Sequence, residues 1–167
     1  MKKKLKTIFT VLAFVVCLTF MNLPVNAASM LPKYDTIYSN TVILEDGSYI
    51  VDELQVLSPN DNSVTPAAST YTKSATRTYT YYNTANKKCW TFHLKGTFQY
   101  NGSTAKATSS STSYSIFVNG WKCNSRNSSC SGNTVKGTAN FKMLLNNINV
   151  TIGLRCSASG TISNVNY

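Results

Sequence analysis

"KKCWTFHLKGTFQYNGSTAK", residues 87–106, decides how the rest of the chain is read. It holds a Cys, a Trp, the chain's single His and an Asn-Gly pair. Trp90, Phe92, Leu94, Phe98 and Tyr100 share one parity, while Thr91, His93, Lys95, Thr97 and Gln99 share the other. Apolar and polar residues alternating with period two make a half-buried β-strand. Asn101-Gly102 follows, and its readiness for positive φ suits a two-residue hairpin turn. That turn sets Tyr100 opposite Ser103, Phe98 opposite Ala105 and Lys95 opposite Thr108. Lys106 then shares the outward face with Lys95 and His93.

The same pattern recurs downstream. "TVKGTANFKMLL" (134–145) and "INVTIGLRCSASGTI" (148–162) flank Asn146-Asn147. A turn there pairs Leu145 with Ile148, Met143 with Val150, Phe141 with Ile152 and Ala139 with Leu154. Every pair is apolar, and Lys136, Lys142, Thr151 and Arg155 fall on the other face. A slip by one residue would scramble that agreement. With "ATRTYTYY" (75–82) and "SSSTSYSIFV" (109–118), the count reaches six or seven strands and no helix. The expected fold is all-β, a small antiparallel β-sandwich, immunoglobulin-like or related. A true immunoglobulin signature is missing, because Cys89 and Trp90 are adjacent.

Upstream, Lys2, Lys3, Lys4 and Lys6 precede an apolar run from Ile8 to Phe20, and Val25-Asn26-Ala27 supplies small residues. This reads as a secretory signal peptide over residues 1–28, too short in its apolar run to span a bilayer. Secretion is therefore the expected destination. Residues 29–69 form an acidic segment: a hairpin signal at Asp46-Gly47, then a Pro/Asn/Ser-rich linker. Residues 70–167 form the β domain. All six acidic residues lie before position 62, so the 98 residues from Thr70 to Tyr167 carry no Asp or Glu. Removing the four leader lysines from a formal charge of +10 leaves about +6.

Cys89, Cys123, Cys130 and Cys156 remain after the leader. An even count in a secreted domain predicts two disulfides. Parity favours Cys123–Cys156 with Cys89–Cys130, the latter two outward or in loops. The rival is Cys123–Cys130 with Cys89–Cys156. No CxxC pair exists and one His is available, so no metal site is expected.

Most catalytic classes fail on residue supply. A glycosidase needs paired carboxylates and a Ser-His-Asp triad needs an orienting acid; the β domain has neither. Cys89 and His93 stand ~13 Å apart along a strand at ~3.3 Å per residue, beyond hydrogen-bond reach. His93 reads as a solvent-exposed surface residue, and no catalytic residue, cofactor or nucleotide is expected. What remains is charge. Lys95, Lys106, Lys136, Lys142 and Arg155 are the candidate binding residues, an outward basic face with no acid to balance it. Such a face attracts polyanions.

"LEDGSYI", "TKSATRTYTYYN", "W-x-F-x-L-K-G-T-F-x-Y-N-G-S", "SGNTVKGTA" and "LRCSASGTIS" together resemble uncharacterised small secreted β-domain proteins of Gram-positive bacteria. The resemblance implies a signal peptide and a small β domain, and it carries over no catalytic residue. In that group a Cys near the Ala107 position partners the one matching Cys156; here Ala107 stands in its place. The expected function is non-enzymatic attachment to an anionic cell-wall polymer or membrane surface. The alternative is a secreted protein-interaction or antagonist factor, its basic domain masked by the acidic segment 29–69. An enzyme using carboxylates of that segment is the third reading.

Overall fold

The computed structural model describes residues 33–57 and 70–167, and the expected signal peptide and linker lie outside them. Nine strands follow in order: β1 Tyr34–Ile43, β2 Tyr49–Leu57, β3 Tyr71–Tyr82, β4 Lys88–Tyr100, β5 Ala105–Ile116, β6 Lys122–Ser131, β7 Thr134–Met143, β8 Asn146–Cys156 and β9 Ile162–Val165. Among the described residues there is no helix. Two antiparallel sheets result, one ordered β1-β2-β3-β4-β5 and the other β6-β7-β8-β9. Each sheet is a meander of sequence neighbours. That connectivity departs from the expected immunoglobulin-like one, which needs strands exchanged between sheets.

The acidic segment contributes strands to the first sheet. β1 and β2 belong to the acidic segment, whose hairpin needs something to pack on, and β2 pairs with β3 from Tyr49↔Tyr82 to Val56↔Ala75. The described residues 33–57 and 70–167 fall in one compact unit. The physical reason lies in β2, whose Ile50, Leu54 and Val56 share a parity and join the apolar interior. A lone hairpin is marginal in water, and pairing with β3 removes that penalty.

The inner faces of both sheets meet in one core. Trp90 of β4 stacks on Phe141 of β7 with ring centroids 4.0 Å apart and planes 4° from parallel. Tyr81 stacks on Trp90 at 5.2 Å, and Trp121 meets both rings edge-on. Phe92, Leu94, Phe98, Val135, Ile152 and Leu154 are buried around them. Each such side chain contributes about 1.5–3 kcal/mol by leaving water. The sheets approach closely at Gly96, where a Cβ would sit 2.8 Å from Val135 Cγ2.

Most strand residues keep their expected side, but both turns move, and Leu145, expected inside, is exposed. In the β4–β5 hairpin, Tyr100 faces Ala105 and Phe98 faces Ala107. The connection is Asn101–Thr104, closed by Asn101 N–H donating to the Thr104 carbonyl at 3.1 Å. Asn101 Oδ1 accepts from the amides of Ser103 and Thr104, so its side chain organises a longer loop than Asn-Gly alone suggests. A bulge near Thr97 then sets Lys95 opposite Ser111. In the β7–β8 hairpin Met143 faces Asn146, and Phe141, Ala139 and Val135 face Ile148, Val150 and Leu154. The turn is Leu144-Leu145 instead of Asn146-Asn147. This register lines up Asn140 with Asn149, whose side chains bond at 2.7 Å.

Candidate binding surfaces

The five basic residues singled out from sequence do not share a face. Lys95 and Lys106 project from the outer face of the first sheet, at the Ser111 and Gln99 registers. Lys136, Lys142 and Arg155 project from the outer face of the second. The two outer faces look in opposite directions, because the inner faces share the core. Strand parity assigned each residue outward, but parity says nothing about which sheet a strand joins.

The second sheet gathers the denser charge. Lys122 of β6 stands directly opposite Lys142 of β7. Cross-strand neighbours lie about 4.5–5.5 Å apart at Cβ, and like charges there repel. No Asp or Glu occurs anywhere in β6–β9 to relieve them. Around the pair run Asn124, Asn140, Asn147 and Asn149, joined by side-chain amide bonds. Further along, Lys136 lies 4.5 Å over the Tyr167 ring, and Arg155 Nε donates to Thr134 Oγ1 at 3.4 Å. Sequence reading missed Lys122, since its partner strand was not recognised as β7.

The first sheet's outer face is mainly hydroxyl. Thr72, Ser74, Thr76, Thr78 and Thr80 alternate along β3, beside Thr91, Thr97 and Gln99 of β4. His93 sits in this field half-buried, with Nδ1 and Thr78 Oγ1 sharing a 2.9 Å hydrogen bond. This corrects the expectation of an open surface His. Neighbours on β3 and β5 screen it, and burial, with Lys88 adding to it, pushes its pKa down.

The acidic segment is committed elsewhere. Asp52 is buried and accepts both arms of the Arg77 guanidinium, Nε at 2.9 Å and Nη2 at 2.7 Å. Arg77 Nη1 also donates to the carbonyls of Gly153 and Val165, and Nη2 to Asn166 Oδ1 at 2.8 Å. Burial works against the guanidinium charge, but the Asp52 hydrogen bonds and charge outweigh it and its pKa rises. Asp46 is held by the amide and hydroxyl of Ser48, which lower its pKa.

The cysteines correct a second expectation: Cys89, Cys123, Cys130 and Cys156 are free thiols. Cys123 faces Phe141, which faces Ile148, eight residues before Cys156 on β8. At ~3.3 Å per residue that separation is ~26 Å, against a disulfide limit near 7 Å between Cα atoms. Cys89 is the second residue of β4, whereas Cys130 faces Val135, the residue beside Gly96. The rival Cys123–Cys130 bond would span seven residues of one extended strand. Cys89 is not outward either. It is the extra residue of a bulge between Tyr81 and Tyr82, and its thiol is buried next to Trp121. Burial raises the pKa of Cys89, Cys123 and Cys156. Among the described residues no group of three or more His, Cys, Asp or Glu could hold a metal ion.

Neither a family model nor a curated protein matches the chain. Among solved structures, a hypothetical protein of Listeria monocytogenes EGD-e is similar over 77% of this chain and 92% of that one. The identity is 18% and the TM-score 0.43.

Proposed function

We propose that the chain is a secreted, non-enzymatic β-sandwich protein that holds anionic cell-wall polymer through the outer face of its second sheet. The observation that carries this reading is Lys122 opposite Lys142 in a sheet with no acidic residue. Two like charges kept side by side cost stability when the protein is alone, and a bridging phosphodiester chain converts that cost into attraction. Lys136 and Arg155 extend the track along β7 and β8, and the asparagine amides between them offer donors to polymer oxygens.

The antagonist reading, with the acidic segment masking the basic domain, draws less support. Asp52 is bound to Arg77 in the interior, and the segment's strands lie in the other sheet.

Co-sedimentation with purified cell walls over a salt series tests the proposal. Wild-type chain is expected in the wall pellet at low salt and released as ionic strength rises. Lys122→Glu with Lys142→Glu lowers retention by tenfold or more, at about 1 kcal/mol per cation near an anionic surface. Lys95→Glu with Lys106→Glu changes it little. Equal retention of both double variants, or retention indifferent to salt, overturns the assignment.

A further inference from the structure

The β7–β8 turn breaks two local rules at once. Leu144 is 86% exposed and Leu145 98%, the two most exposed large apolar side chains described. Leu144 also has φ +51°, a left-handed conformation that suits Gly or Asn. A turn selected only to reverse the chain would take polar residues tolerant of that backbone. Strain and exposed apolar surface persisting together at one tip point to an outside partner.

The surroundings define its chemistry. The two leucines stand at the end of the hairpin, with no wall of protein around them. Immediately below, Leu144 shares a shallow cleft with Gly120, Lys122, Asn124 and Lys142. The β5–β6 loop at the same end presents Phe117, 52% exposed, with Lys88 Nζ 4.4 Å over its ring. On the other side, Glu45 and Asp46 line a recess against Asn146, Asn147 and Ile148, so the cationic flank of the tip is the one bearing Lys122 and Lys142. A projecting apolar tip above a lysine pair fits a soft anionic layer better than a rigid groove: leucines enter the acyl boundary while lysines meet headgroup phosphates.

We propose that the Leu144-Leu145 tip inserts into the interfacial layer of an anionic lipid bilayer, with Lys122 and Lys142 on the headgroups. This shares with the proposed function the premise of an anionic partner, but it rests on the leucines and needs no wall polymer. The attachment is shallow and reversible, since two side chains make a small anchor.

The test uses the full chain and vesicles of phosphatidylglycerol or phosphatidylcholine. Leu145→Trp adds a third indole, at the tip, whereas Trp90 and Trp121 are buried in the core. Its emission should move to the blue and be quenched by brominated acyl chains in phosphatidylglycerol vesicles, and stay unchanged with phosphatidylcholine. Leu144→Ser with Leu145→Ser should lower the phosphatidylglycerol partition coefficient about tenfold, given the apolar area removed. Every residue outside the tip is the same in each variant, so differences between variants read the tip. Soluble polyglycerol phosphate separates the two proposals. The serine variant should bind it like wild type. Loss of polyglycerol phosphate binding in the wild type with the indole still entering lipid would sink the polymer reading alone. An unshifted, unquenched indole, or a serine variant within twofold of wild type, overturns the insertion. Capture of the tip by protein without lipid entry overturns it too.

Discussion

Arg77 and Asp52 form a bidentate ion pair sealed between the two sheets, with the guanidinium side chain 1% exposed. The pair ties β2 to β3, and the remaining Arg77 donors reach Gly153, Val165 and Asn166. Asp52→Asn should therefore leave a buried cation uncompensated, at about 3–5 kcal/mol. Urea denaturation followed by tryptophan fluorescence reads this directly. A loss below 1 kcal/mol would show that the pair does not hold the interior together.

Leu144→Asn should act in the opposite direction. The wild-type residue has φ +51° and little packing to lose. Relief of a left-handed L-residue is worth about 1–2 kcal/mol in the limit, so a gain near 1 kcal/mol is expected. The same urea midpoint measures it, and a destabilised variant would mean that Leu144 packs on the fold.

Gly160→Ala should be costly. Gly160 has φ +82°, and an added Cβ would run into the Tyr100 ring. Strain and collision together predict a loss of about 1–3 kcal/mol. The Lys73 Nζ bond to the Gly160 carbonyl, 2.8 Å, would be disturbed with it. A Tm equal to wild type would refute this placement of Tyr100.

His93 gives the fold a pH dependence of known sign. Its folded pKa lies below the ordinary 6.5, first through burial and then through Lys88. The unfolded chain thus takes up the proton more readily. The stabilisation is fully present above pH 6.5 and is lost as pH falls from there through the depressed folded value. His93→Gln should flatten stability over that interval, and an unchanged slope would remove His93 as its source.

Thiol labelling should follow exposure. Cys130 is exposed, Cys123 intermediate, and Cys89 and Cys156 buried with raised pKa values. Reaction needs thiolate and access. Iodoacetamide mapped by peptide mass should modify Cys130 first and Cys89 and Cys156 last. Equal labelling rates would contradict the burial of Cys89.

Parity in the chain made much of this legible. The alternation placed Trp90, Phe92, Leu94, Phe98, Ala139, Phe141, Val150, Ile152 and Leu154 inside as found. But it put Leu145 inside, where it is 98% exposed, and Thr91 outside, where it is buried. Turn positions did not follow, because Asn-Gly and Asn-Asn are local preferences. The asparagine ladder and the apolar cross-strand pairs overrode them. Arg77 was hidden for a related reason. It shares parity with Ala75 and Tyr81, as Asp52 does with Ile50 and Leu54, yet a charged residue on an apolar face reads as surface until its partner strand is known. The basic residues failed as one patch because the sequence does not say which strands join which sheet.

Every hydrogen-bonded ladder joins strands consecutive in the chain. Apart from β2 with β3, which are separated by residues 58–70, each pairing closes a short loop and can form as soon as its second strand exists. In a chain built from its N-terminus, both meanders would be nearly assembled while Arg77 still faced water. Val165 and Asn166 follow all the other strands in the chain, and only with them does the guanidinium gain its remaining acceptors. The stretch around Val165 and Asn166 thus acts as a latch: two layers zipped in order, and one later contact that locks them.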